Sequence, residues 1–146
     1  MRRILIICSL LLINPCLAAV TNLESLLGGY TAVTDLSDPV VVEAANFVLQ
    51  EAAQLQANDA KYSFEISVED SSADVILASQ QVVAGLNLKL IIVVEDSKKQ
   101  KSCQGAFLAT IYDHFGSFEV TEWGNEFTCQ EAKAIEKNEN AGNEGE

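Results

Sequence analysis

The chain has 146 residues, of which 21 are acidic and nine basic, giving a formal net charge of −12 at pH 7. Such acidity argues against nucleic acid as a partner, because affinity for phosphates comes from lysine and arginine. One histidine and four cysteines leave little from which to build a zinc site or a Cys–His nucleophile pair.

At the amino terminus Arg2 and Arg3 precede an apolar run from Ile4 to Ile13, Asn14-Pro15 interrupts it, and the small pair Ala18-Ala19 follows. This is the grammar of a secretory signal peptide, predicted over residues 1–19, with the mature chain starting near Ala19 or Val20. The run is too short to cross a bilayer, and no later stretch reaches the length of about 20 residues that a span needs. A secreted, extracellular protein with no membrane association is therefore expected, a retained anchor being the alternative. Cleavage would remove Cys8, Cys16 and both arginines, leaving Cys103, Cys129, seven basic residues and 21 acidic ones, a net charge near −14.

Near the start of the mature chain, "LESLLGGYTAV" leads toward the first helix and places two leucines directly before a double glycine. A helix is predicted from Pro39 to Gln56: Asp38 can cap it, proline suits the first helical position, and Val41, Ala45, Val48, Ala52 and Leu55 recur at three and four residues. Asn58-Asp59 is expected to end it, since asparagine tolerates the left-handed conformation after a last turn. The period then changes to two. "YSFEISVE" alternates Tyr62, Phe64, Ile66 and Val68 with polar residues, and "DVILASQ", "LNLKLIIVVE", "GAFLATIY" and "SFEVTEW" read as further strands bounded by charged or turn-forming residues. The helix's apolar stripe needs a partner, and the inward face of this sheet is the one on offer. The expected fold class is α+β: one long helix packed across a four- to five-stranded antiparallel sheet. From Lys137, "KNENAGNEGE" has too little apolar mass to fold, so residues 136–146 are expected to be a disordered acidic tail.

A secreted context favours a bond between Cys103 and Cys129. If the two face each other across a hairpin, its turn falls at residue 116, which is a glycine between Asp113 and Ser117 in "YDHFGSF". Two free thiols are the alternative. The stretch "SQQVVAGLNLKL" folds back in the same way with a tip near Val82 to Ala84, and an apolar tip is a poor surface to leave in water. In a meander, alternate hairpin tips lie at the same end of the sheet, so both tips share one edge.

These residues together resemble the cystatin family, inhibitors of papain-like cysteine proteases. The resemblance spans about residues 26–130 and rests on Gly28-Gly29, on Gln81-Val82-Val83-Ala84-Gly85 as the Gln-x-Val-x-Gly hairpin, on "NDAKY" after the helix, and on "TCQEA" from Thr128 to Ala132. It implies a cystatin-like domain over 20–135. The family's Pro-Trp pair is missing. Two registers stay open for the second hairpin: "ATIYDHFG" with His114 and Phe115 at its tip, or "FEVTEW" leading to Trp123. "EDSSAD", Glu69 to Asp74, looks like an insertion of a few residues in the strand before the motif.

The resemblance implies reversible blockage of a protease cleft by an N-terminal segment and two hairpin loops. Leu26 and Leu27 would enter the non-primed subsites, and Gly28 or Gly29 would turn the backbone away from the nucleophile. Gln81, Val82, Val83, Ala84 and Gly85 would fill the centre, and His114 with Phe115 the primed side. An interface of roughly 1,600 Å² would suit such a wedge. Asn58 resembles the asparagine through which some secreted cystatins inhibit legumain. The partners expected are cathepsin-type proteases bound by a monomer, with no enzymatic activity and no cofactor. The alternative is a non-inhibitory cystatin-fold module binding another extracellular ligand.

Overall fold

The computed structural model describes residues 29–143. The expected signal peptide, Leu26, Leu27, Gly28 and the last three residues lie outside the described residues. The elements are β1 (Thr31–Ala32), α1 (Pro39–Asp59), β2 (Ser71–Val83), β3 (Gly85–Asp96), β4 (Ser102–Asp113), β5 (Phe118–Phe127) and α2 (Cys129–Asn143). The strands form one five-stranded sheet in the order β1-β2-β3-β4-β5, with every neighbouring pair antiparallel. The class is α+β, with two helices among the described residues.

The start of α1 follows from its sequence. Asp38 accepts the Val40 N–H at 2.9 Å, and Pro39 opens the helix without leaving a donor unsatisfied. The end differs from expectation. Asn58 is helical, and the left-handed residue that stops the helix is Ala60, at φ 45°, whose N–H bonds to the Gln56 carbonyl. Val41, Val48 and Leu49, spaced by small alanines, share one core with Leu88, Leu90, Ile92, Phe107 and Ile111 of the sheet.

The strand expected over "YSFEISVE" is absent, and its alternation survives as burial only as far as Ile66, since Val68, expected inward, is 54% exposed. Tyr62 and Ile66 are buried and Phe64 half-buried, yet the segment pairs with no strand. The Gln56 side chain supplies what a ladder would have supplied: its Nε2 donates to the Tyr62 and Phe64 carbonyls at 3.0 and 3.1 Å, and its Oε1 accepts the Tyr62 N–H at 2.8 Å. Phe64 lies directly against Gly105 of β4, where a β-carbon would come within 2.3 Å of its ring. "EDSSAD" is not an excursion inside a strand either. A turn closed by Ser71 N–H to the Ser67 carbonyl precedes β2, and the β2 irregularity lies between Val75 and Leu77.

The second helix corrects the expectation of a disordered tail. α2 runs to Asn143, and Ala132 and Ile135 close over Ile76, Leu77, Ile91, Val93 and Ala106 on the sheet face opposite α1. Thr128 starts it with a reciprocal capping box: its Oγ1 accepts the Glu131 N–H at 3.2 Å, and its own N–H donates to Glu131 Oε2 at 2.7 Å. Cys103 and Cys129 are bonded, with Cα atoms 6.0 Å apart. The bond joins β4 to the first residue of α2 rather than two facing strand positions, Cys103 standing opposite Glu95 of β3. The implied hairpin register nevertheless holds at Ala109–Trp123 and Thr110–Glu122, and irregularities on either side shift it by one. Among the described residues no helix is long and apolar enough to cross a membrane.

Candidate functional site

One end of the sheet gathers three chain segments. β2 and β3 meet at Ala84, where Val83 already pairs with Gly85, and β4 and β5 meet across His114 to Ser117. Leu86 lies opposite Asp113, which puts both tips at the same end. Thr31 lies opposite Gln80, so Gly29, at φ 79°, leaves the sheet there too. The rim is apolar. Six large hydrophobic side chains are exposed among the described residues, and the two most exposed, Phe115 at 85% and Val82 at 78%, stand on it together with Val83.

The local chemistry explains each tip. In the second hairpin His114 and Ser117 exchange two backbone hydrogen bonds, at 2.9 and 3.3 Å, around a two-residue loop. Phe115 and Gly116 both have positive φ, 56° and 92°, which is the pattern of a type I′ turn. Asp113 Oδ1 accepts the Gly116 N–H at 2.7 Å and fixes the bend. In the first hairpin Gln81 and Asn87 face each other, and Asn87 Nδ2 donates to Gln81 Oε1 at 3.4 Å. The glutamine side chain therefore braces the strands below the valines.

The amino-terminal segment is held by a different contact. Lys89 Nζ sits 4.6 Å from the centre of the Tyr30 ring, a cation–π arrangement one residue after Gly29. Partial burial, and secondarily the Glu122 carboxylate, push the Tyr30 hydroxyl above its ordinary pKa, so it stays protonated and neutral at physiological pH.

Of the residues expected at a binding edge, Gly29, Gln81 to Gly85, His114 and Phe115 are brought together here, whereas Leu26, Leu27 and Gly28 lie outside the described residues. Trp123 is elsewhere: half-buried on β5, its ring 6.0 Å from Phe107 and 6.5 Å from Tyr62. The register with Phe115 at the tip is the one the structure has. Asn58 is exposed near the end of α1. That helix end lies toward the opposite pole, through Gln56, Phe64 and Gly105. Tyr112 escaped the sequence reading. It lies opposite Asn87, donates its hydroxyl hydrogen to the Ala84 carbonyl, and thereby links the second hairpin to the first.

Among the described residues no acid–base or nucleophilic constellation accompanies the rim. The chain's single histidine is at an exposed hairpin tip, and the two described cysteines are bonded to each other. Compared with known proteins, the chain matches no family model and no curated sequence.

Proposed function

We propose that the protein is a secreted, cystatin-like inhibitor that plugs the active-site cleft of papain-like cysteine proteases with this rim. In that reading α1 is the long helix laid over one face of the sheet, and the rim is a wedge of three segments. Val82, Val83 and Phe115 gain by leaving water for an apolar cleft, and the preformed hairpins lower the ordering cost of binding. The observation that supports it best is the convergence at one end of Gly29, the QVVAG tip and an aromatic held outward on left-handed backbone. Phe115 would occupy the place of the family's tryptophan.

Titration of active papain tests the reading. Stoichiometric loss of activity with the mature chain is expected, with partial recovery for a truncation starting at Tyr30. Val83→Asp should lose nearly all inhibition, because a carboxylate forced into an apolar cleft is costly. Indifference of papain to the intact chain would favour a non-inhibitory binding module instead. Legumain inhibition through Asn58 is a separate reading that rests on the exposure of that residue, and Asn58→Gln decides it without touching the rim.

A further inference from the structure

We infer that Tyr112 is a positioning residue that locks the two hairpin tips into one rigid unit, so that QVVAG and Phe115 engage a partner together. The inference rests on the protease-inhibitor reading for its functional consequence, while the lock itself stands on geometry.

Three observations carry it. The Tyr112 hydroxyl, rooted in β4, donates to the carbonyl of Ala84, the single residue between β2 and β3. That carbonyl sits at the turn, outside the strand ladder, so the phenol gives it a partner from the neighbouring hairpin. Gly85 permits the approach: at φ 128° it has no side chain, and a β-carbon there would lie 2.6 Å from the Asp113 carbonyl oxygen and 2.8 Å from the Tyr112 ring. The last glycine of the motif thus serves contact between hairpins as well as a local bend. Finally, the Tyr112 ring is stacked on His114, centroids 6.0 Å apart at 17°, and His114 in turn abuts Phe115 at 5.0 Å. A continuous path of contacts therefore runs from the Ala84 carbonyl to the most exposed aromatic of the rim.

The consequence is mechanical. Without the tyrosine hydroxyl, Ala84 would lose its hydrogen bond to the neighbouring hairpin, β3 would keep its pairing with β4 only as far as Leu86 and Asp113, and part of the binding free energy would go into fixing the tip's height relative to Phe115.

Tyr112→Phe is the test, since it keeps the ring and removes only the donor. Backbone order parameters measured by NMR should fall at Ala84 and Gly85 and hold at Phe115 and Gly116, with the unfolding midpoint nearly unchanged. Inhibition of papain should weaken about tenfold, because the cost of ordering the freed tip moves into the binding step. Against a Val82→Ala background, the same substitution should cost clearly less than tenfold, because the two changes act on one loop. Unmoved order parameters at Ala84 and Gly85, or an equal loss in both backgrounds, would overturn the lock. If papain ignores the wild-type chain, the inhibitor reading fails and the order parameters still decide the role of Tyr112.

Discussion

Phe115 occupies a conformation that its own side chain disfavours. Left-handed backbone costs a residue with a β-carbon about 1–2 kcal/mol, and a ring 85% exposed recovers nothing from burial. Asparagine or glycine would satisfy the same type I′ turn more cheaply. Phe115→Gly is therefore expected to raise stability by about 1 kcal/mol, read from the urea midpoint, while weakening papain inhibition. A variant that is more stable and equally potent would remove the ring from the binding surface. Asp113, Gly116 and Ser117 made the turn itself legible in the sequence, each for a conformational reason. The positive φ at Phe115 was not legible, because no local preference of phenylalanine selects it; the closing bonds of His114 and Ser117 and the Asp113 carboxylate impose it. Tyr112 stayed hidden for a related reason, since its partner lies 28 residues away in the chain.

Among the elements, α2 shows what patterning conveys and where a composition argument stops. "Thr-Cys-Gln-Glu" carries the spacing of a capping box, and the uninterrupted apolar run Leu90 to Val94 requires cover on both faces of β3. Both features are in the sequence, whereas the expectation of a disordered tail rested only on the low apolar content past Lys137. Thr128→Ala should cost about 1 kcal/mol and speed amide exchange in the first turn of α2 ahead of the sheet. Reduction of the disulfide removes the other constraint, and the chain-entropy argument puts its loss at about 3.5 kcal/mol for a loop closed over a separation of 26 residues. The missing strand at "YSFEISVE" teaches the converse. Alternation reports which side chains are buried, and it does so correctly at Tyr62, Phe64 and Ile66, but a ladder also needs an available neighbour. Here one glutamine side chain takes over the backbone's hydrogen bonding. Gln56→Ala leaves those groups without their partner and is expected to destabilise by about 2 kcal/mol in denaturant unfolding.

At the scale of the whole molecule, the pole opposite the rim concentrates charge where four parts of the chain meet. Asp74 of β2, Glu95 of β3, Lys101 of the β3–β4 loop, and Lys133 and Glu136 of α2 line one cleft beside the disulfide. Burial raises the Glu95 pKa above the ordinary carboxylate value; the Asp74 and Glu136 carboxylates add to the rise, and Lys101 opposes it. A carboxyl whose pKa is higher folded than unfolded binds more protons in the folded state between the two values. Stability therefore falls as pH rises through that window, and Glu95 opposes folding at neutral pH, the reverse of a carboxylate that gains a cationic partner. Glu95→Gln should raise the thermal midpoint at pH 7 and lose that advantage at about pH 3, where the unfolded chain's carboxyls are protonated as well. Added salt should narrow the gap at neutral pH by screening the repulsion from Asp74 and Glu136 while leaving the burial contribution in place. A midpoint difference independent of pH would show that the substitution acts through packing, and one that grows on acidification would reverse the sign argued here.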